Sequence, residues 1–159
     1  MQKILEKSIK EVMTTPVISV SEDETLKNVF KLMDKHGILG VPVTGKDKEV
    51  VGIVTESDLI KHFTTLDTPI AVSILGSLVY LDDLGDWSKN LKNHCAEQVK
   101  DLMSQEVITI MESQSLQEGI EKMTEYNVSR LPVVNEKGEL SGIITRTNIV
   151  KQLAKLKTV

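Results

Sequence analysis

The stretch Gly52-Ile53-Val54-Thr55-Glu56-Ser57-Asp58 holds the residues best placed to do chemistry. Gly52-Ile53-Val54 reads as the end of a buried strand, Thr55 as an N-cap, and Leu59, Ile60 and Phe63 as the start of an apolar helical face. A strand-to-helix turn of this kind gathers free backbone N–H groups and the positive end of a helix dipole at one spot, which favours an anion such as phosphate. Asp58, one turn into the helix, is a carboxylate able to accept hydrogen bonds from a sugar diol. Thr-x-x-Asp is equally the spacing of a capping box, in which the two side chains satisfy only their own helix terminus. Repetition adds weight to the ligand reading, because Gly142-Ile143 and Thr145, with Asn148, return the pattern 90 positions later.

The elements that must position this turn follow from periodicity. Ile4, Leu5, Ile9, Val12 and Met13 make a helical stripe, and the Ser8/Glu11 spacing predicts a restart at Ser8. Pro16 ends it, and Val17-Ile18-Ser19-Val20 is a short β-rich run. Ser21 with Glu24 signals another capping box, after which Leu26, Val29, Phe30 and Met33 form the best amphipathic face of the chain. Gly37 is the expected left-handed helix stop. Val41-Pro42-Val43 is a strand whose proline suits a first or edge position, Thr44–Glu49 a polar turn, and Val50–Val54 a buried strand leading to Thr55.

Adding 90 to each number lays Lys10–Lys61 on Lys100–Lys151 without a gap. Met13 falls on Met103, Leu26 on Leu116, Met33 on Met123, Pro42 on Pro132 and Thr55 on Thr145, while Gly37 meets Asn127, the other residue tolerant of the left-handed region. Such register over so long a stretch is an internal duplication. A unit of roughly sixty residues buries too little surface to stand comfortably alone. The copies are therefore expected to pack sheet against sheet about a pseudo-twofold axis, creating two related clefts.

Composition limits the functions open to this chain. A net charge of −4 suggests neither a nucleic-acid surface nor an anionic membrane partner. The single Cys95 makes no internal disulfide, no basic-then-apolar leader opens the chain, and the apolar run Ile70–Leu81 is too short to span a bilayer, so the expected setting is the cytoplasm. That run is too hydrophobic for a solvated linker and is expected to pack on the body or on a partner chain. His36, His62 and His94 have no metal-ligand spacing, and neither a P-loop nor a Gly-x-Ser-x-Gly elbow is present. No metal and no enzymatic activity are expected.

The doubled Val-Pro-Val and Leu-Pro-Val-Val strands, followed by Gly-Ile-Val-Thr-x-x-Asp and Gly-Ile-Ile-Thr-x-x-Asn, resemble a tandem pair of CBS domains, the regulatory modules named after cystathionine β-synthase. The resemblance covers about two thirds of the chain. It implies an α/β fold (α+β layered) of two β-α-β-β-α units, residues 8–63 and 97–156, joined by a connector, 64–96. It also implies a disc-like homodimer and a regulatory module that senses adenosine-containing ligands (AMP, ADP, ATP or S-adenosylmethionine) and acts on a separate protein. The alternative is a dimerisation scaffold with vestigial clefts. No cofactor is required. By position, the main cleft takes Asp58 to the ribose hydroxyls and Thr55 to phosphate. Val107, Ile108 and Asn127-Val128-Ser129-Arg130-Leu131-Pro132 line the base, with Arg130 as a cation for phosphate. The second cleft joins Thr145 and Asn148 to Thr14, Thr15, Val17 and Ile38-Leu39-Gly40-Val41-Pro42. There Asn148 replaces the carboxylate and Gly40 the arginine, so weaker binding is expected.

Overall fold

The computed structural model describes residues 2–64, 71–74, 77–80 and 97–155. The first copy comprises α1 (Gln2–Leu5), α2 (Ile9–Val12), β1 (Val20–Ser21), α3 (Leu26–His36), β2 (Gly40–Thr44), β3 (Val50–Thr55) and α4 (Glu56–Thr64). In the connector, β4 (Ala71–Ile74) pairs antiparallel with β5 (Ser77–Tyr80). His94 and Cys95 lie outside the described residues. The second copy opens with a 3-10 turn, Val99–Asp101, and continues with β6 (Ile110–Met111), α5 (Leu116–Glu125), β7 (Arg130–Val134), β8 (Leu140–Thr145) and α6 (Arg146–Leu153). Among the described residues no helix is long and apolar enough to cross a membrane.

Each copy builds one three-stranded sheet, β1-β2-β3 or β6-β7-β8, the first pair parallel and the second antiparallel. Gly37 ends α3 at φ 59° and Asn127 sits at φ 50°, so both helix stops use the left-handed conformation. Ser8 restarts the first helix with Glu11 in a capping box, as its spacing predicts. The helix after β1 starts later than expected. Ser21 is committed to β1, paired with Thr44, so Thr25 takes the N-cap and accepts from the Asn28 N–H at 3.4 Å.

Pro42 is not at a strand start or in an edge strand. It lies at the centre of the middle strand β2, opposite Ile53. The geometry explains why this is tolerated. Ile53 turns its own N–H and C=O away from β2, to Ser104, so Pro42 and Ile53 form a non-hydrogen-bonded pair. The missing N–H of Pro42 therefore points toward β1, whose pairing begins one residue later, at Val43. Pro132 repeats this opposite Ile143, whose polar groups bond Thr14.

The expected pseudo-twofold arrangement is present. Bridges between the copies come in pairs related by the 90-residue shift: Ser8 with Ser115 and Gln98 with Thr25, Thr14 with Ile143 and Ser104 with Ile53, while Glu49 meets its own equivalent Glu139. The leading segments are exchanged. Ile9 and Val12 are buried with Ile110, Leu116, Leu131, Val133 and Ile144 of the second copy. Val99 is buried with Leu26, Val29, Val41, Val43 and Val54 of the first. Each fully buried aliphatic side chain contributes about 1.5–3 kcal/mol, so this exchange ties each core to the other copy. Met13 and Met103 pack at the edges of the two clusters and Met33 and Met123 within them, so equivalent methionines fill equivalent space in the two copies.

Candidate functional site

The β3–α4 turn faces the second copy's segments 104–108 and 127–130 across a cavity of about 260 Å³. At its rim the Thr55 backbone N–H and hydroxyl donate to Asp58 Oδ2 at 2.8 and 2.6 Å, and the Asp58 N–H returns a bond of 3.4 Å to Thr55 Oγ1. The capping box is therefore real, and it occupies one carboxylate oxygen. The other, Oδ1, accepts a long 3.4 Å bond from Ser104 Oγ. A carboxylate has about four lone-pair sites, so Asp58 caps its helix and still offers acceptor capacity to the cleft.

Val107, Ile108, Asn127, Val128, Ser129, Arg130 and Pro132 line this cavity together with Thr55 and Asp58. Leu131 does not. Strand alternation turns its side chain to the opposite face, fully buried in the core. Ile53, Glu56 and Ser57 of the same turn also line the wall, as do Ser104 and Glu106, which the sequence did not single out. The duplication held the clue to Ser104, which is the equivalent of Thr14.

The second cavity, about 440 Å³, joins Thr14, Val17, Ile38, Leu39, Gly40 and Thr145 as expected, with Pro16, Ile18, Ile143, Arg146 and Thr147 added. Thr15, Pro42 and Asn148 are not among its lining residues, and Val41 is fully buried in the first copy's core. Asn148 caps α6 as Asp58 caps α4. Its Oδ1 accepts from the Thr145 N–H and hydroxyl at 2.9 and 2.7 Å. Only the amide oxygen can accept from a backbone N–H, so the orientation is determined, and Nδ2 donates to Thr14 Oγ1 at 3.0 Å. The polarity of the bond across the cleft is thus reversed from that of Asp58 and Ser104.

Arg130 sits between the two cavities and lines both. Its side chain is only 10% exposed, and Nη2 donates to Glu56 Oε2 at 3.1 Å. The guanidinium occupies the space left open by Gly40, where any Cβ would collide with it. The cation expected in the first cleft is thus paired with a carboxylate. The second cleft, expected to lack a cation, has Arg146 on its wall. Arg146 is exposed, and its Nη2 makes only a 3.5 Å bond to the Val128 carbonyl. Its position, directly after Thr145 and equivalent to Glu56, is the signal that would have found it. Among the described residues no group of three or more His, Cys, Asp or Glu is arranged to hold a metal.

The CBS domain family matches residues 9–65 and 99–155, well over half of the chain. The chain belongs to the CBS domain family. An uncharacterized protein of Methanocaldococcus jannaschii, MJ1426, is 32% identical over 152 residues, covering 91% of this chain and 90% of the relative. The inosine-5'-monophosphate dehydrogenase of the same organism is 28% identical, but the match spans only 23% of its length. Two solved CBS structures share the fold. The CBS domain pair of protein MJ0100, in complex with 5'-methylthioadenosine and S-adenosyl-L-methionine, superposes with TM-score 0.72 at 22% identity, covering 95% of this chain and 98% of that one. CBSX2 from Arabidopsis thaliana, in complex with AMP, gives 0.70 at 23%, with 95% and 98% covered.

Proposed function

We propose that this CBS pair is a regulatory module that binds an adenosine-containing ligand between its copies and passes occupancy, through a change of shape or dimer geometry, to a separate protein. The observation that carries the reading is Asp58 Oδ1, still facing the cleft after Oδ2 has capped α4. Opposite it stand Val107, Ile108 and Val128, apolar side chains suited to the faces of a purine while Asp58 takes the ribose hydroxyls. AMP and methylthioadenosine in structurally similar CBS pairs support this ligand class. Nothing beyond binding and shape change is asked of the chain, so its role is regulatory rather than catalytic.

The same module presents apolar surface for self-association. Ile60 on α4 and its equivalent Val150 on α6 are 62% and 63% exposed, and Leu153 adds to the α6 face. Exposed aliphatic groups on equivalent helices suit an isologous homodimer.

Thermal unfolding of the purified chain with AMP, ADP, ATP or S-adenosylmethionine tests the ligand reading. A ligand at a hundred times its Kd should add about 2.7 kcal/mol to stability and raise Tm accordingly. Mass spectrometry of small molecules released from the protein would identify the resident ligand. Unchanged Tm with all four at millimolar concentration would favour a scaffold whose clefts bind nothing.

A further inference from the structure

The charges facing the two cavities differ in a way that the duplication hides. Glu56 and Arg130 line both, and their 3.1 Å pair neutralises itself. What remains in the first cavity, among the described residues, is Asp58 and Glu106, two carboxylates with no further cation. What remains in the second is Arg146, a guanidinium without an ion-pair partner among the described residues. Helix capping reinforces the contrast. Asp58 turns a charged acceptor toward Ser104, whereas Asn148 presents only a neutral amide donor to Thr14. Size differs in the same direction. At about 440 Å³ the second cavity lies within the usual range for ligand pockets of about 300–1,000 Å³, and the first, at about 260 Å³, lies just below it.

We propose that the two clefts divide adenosine ligands by charge: the cleft beside Arg146 takes the phosphorylated nucleotide, and the cleft beside Asp58 and Glu106 takes an adenosyl ligand that carries no phosphate. A phosphate in the first cleft would meet two carboxylates, and the Arg130 guanidinium would have to leave Glu56 to reach it. A thioether nucleoside places no anion there, and a sulfonium places a cation, which the carboxylates attract. In the second cleft the planar fork of Arg146 suits phosphate oxygens bidentately. With no carboxylate paired to it among the described residues, it is able to turn toward them. The assignment rests on the adenosine reading above and adds which cleft takes which class.

Titration calorimetry on the full chain, with AMP, ATP, 5'-methylthioadenosine and S-adenosylmethionine, tests it. AMP should bind with the same affinity in the presence of saturating methylthioadenosine, because the two occupy different clefts. Arg146→Gln, at an exposed position, should weaken AMP and ATP by about ten- to a hundred-fold, the loss of one charge-assisted contact. Methylthioadenosine affinity should not change. Asp58→Asn, which keeps the cap that Asn148 makes in the other copy, should weaken methylthioadenosine and S-adenosylmethionine and leave AMP unaffected. If the parent chain binds none of the four, the adenosine reading falls and the division with it. If the parent binds AMP but Arg146→Gln retains that affinity, or if AMP and methylthioadenosine compete, the division alone is overturned.

Discussion

Alanine at Gly52 or Gly142 reports how closely the copies interlock, and the structure predicts unequal costs. A Cβ at position 52 would collide with Met103 Sδ and lie 2.9 Å from its Cγ and 3.2 Å from its Cβ. Methionine has three rotatable bonds, so its sulfur and Cγ can swing aside, leaving a few tenths of an ångström for the backbone to absorb. Overpacking costs about 1–3 kcal/mol. The stiffer unfolded chain returns about 0.4–1 kcal/mol, so Gly52→Ala should destabilise by about 0.5–2 kcal/mol. At position 142 the new Cβ meets Met13 in the same way but also lies 3.1 Å from the Thr14 carbonyl oxygen. That oxygen cannot yield, because Thr14 is bonded to Ile143 through both its C=O, at 3.1 Å, and its N–H, at 2.8 Å. Gly142→Ala should therefore cost about 2–2.5 kcal/mol, the upper end of the overpacking range less the same entropic return. Urea unfolding with linear extrapolation resolves these differences if m is unchanged. A double-mutant cycle separates the causes. In a Met103→Ala background Gly52→Ala should become nearly neutral, whereas Met13→Ala should relieve only part of the Gly142→Ala cost. Equal costs at the two glycines, or no relief from Met103→Ala, would refute the account.

Three further outcomes are expected. Asp58→Ala should lose about 0.5–2 kcal/mol of stability through its cap, while Asp58→Asn stays near the parent in chemical denaturation; equal losses in both would show that the carboxylate charge, not the cap, sustains α4. The Glu118 carboxyl is held down to about 2, first by the Ser115 backbone N–H and then by the Gln114 amide and Ser115 hydroxyl. Because the folded pKa is depressed, its contribution to stability is complete above the ordinary value of 4.5 and is lost as pH falls toward about 2. The stability gap between parent and Glu118→Gln should narrow over that window, read by unfolding at several pH values, and a gap independent of pH would contradict it. Light scattering should give a dimer mass for the parent and a monomer mass for Ile60→Glu with Val150→Glu; an unchanged mass would place the contact elsewhere.

Much of this molecule was legible because the repeat is long and in register. Gly37 and Asn127 announce their helix stops, Leu26, Val29 and Met33 announce a buried face, and the Thr-x-x-Asp/Asn spacing announces both a cap and a cleft. What escaped depends on relations between the copies. The stripe of Ile9, Val12 and Met13 shows that a helix is amphipathic but not whose core it enters, and it enters the other copy's. Ser21 and Glu24 have capping-box spacing, yet strand pairing with Thr44 takes Ser21 first. The partner of Arg130 was hidden for a similar reason. Glu56 lies 74 positions away, and only the fold brings a residue from each copy together at the axis.

That axial position bears on how such a chain can arise. A single-copy ancestor assembling as an exact twofold dimer must place the same residue at both sites now held by Gly40 and Arg130. Two arginines there would compete for one space, since one guanidinium already fills the room above the glycine. Two glycines would leave Glu56 without its cation. Only after tandem fusion can the two sites drift apart, one keeping a hydrogen where the other extends a charged arm. Fusion also makes the exchange of leading helices intramolecular, so the pairing no longer depends on protein concentration. The Gly40–Arg130 contact is in this sense a mark of linkage: a feature that identical, separately encoded halves could not share.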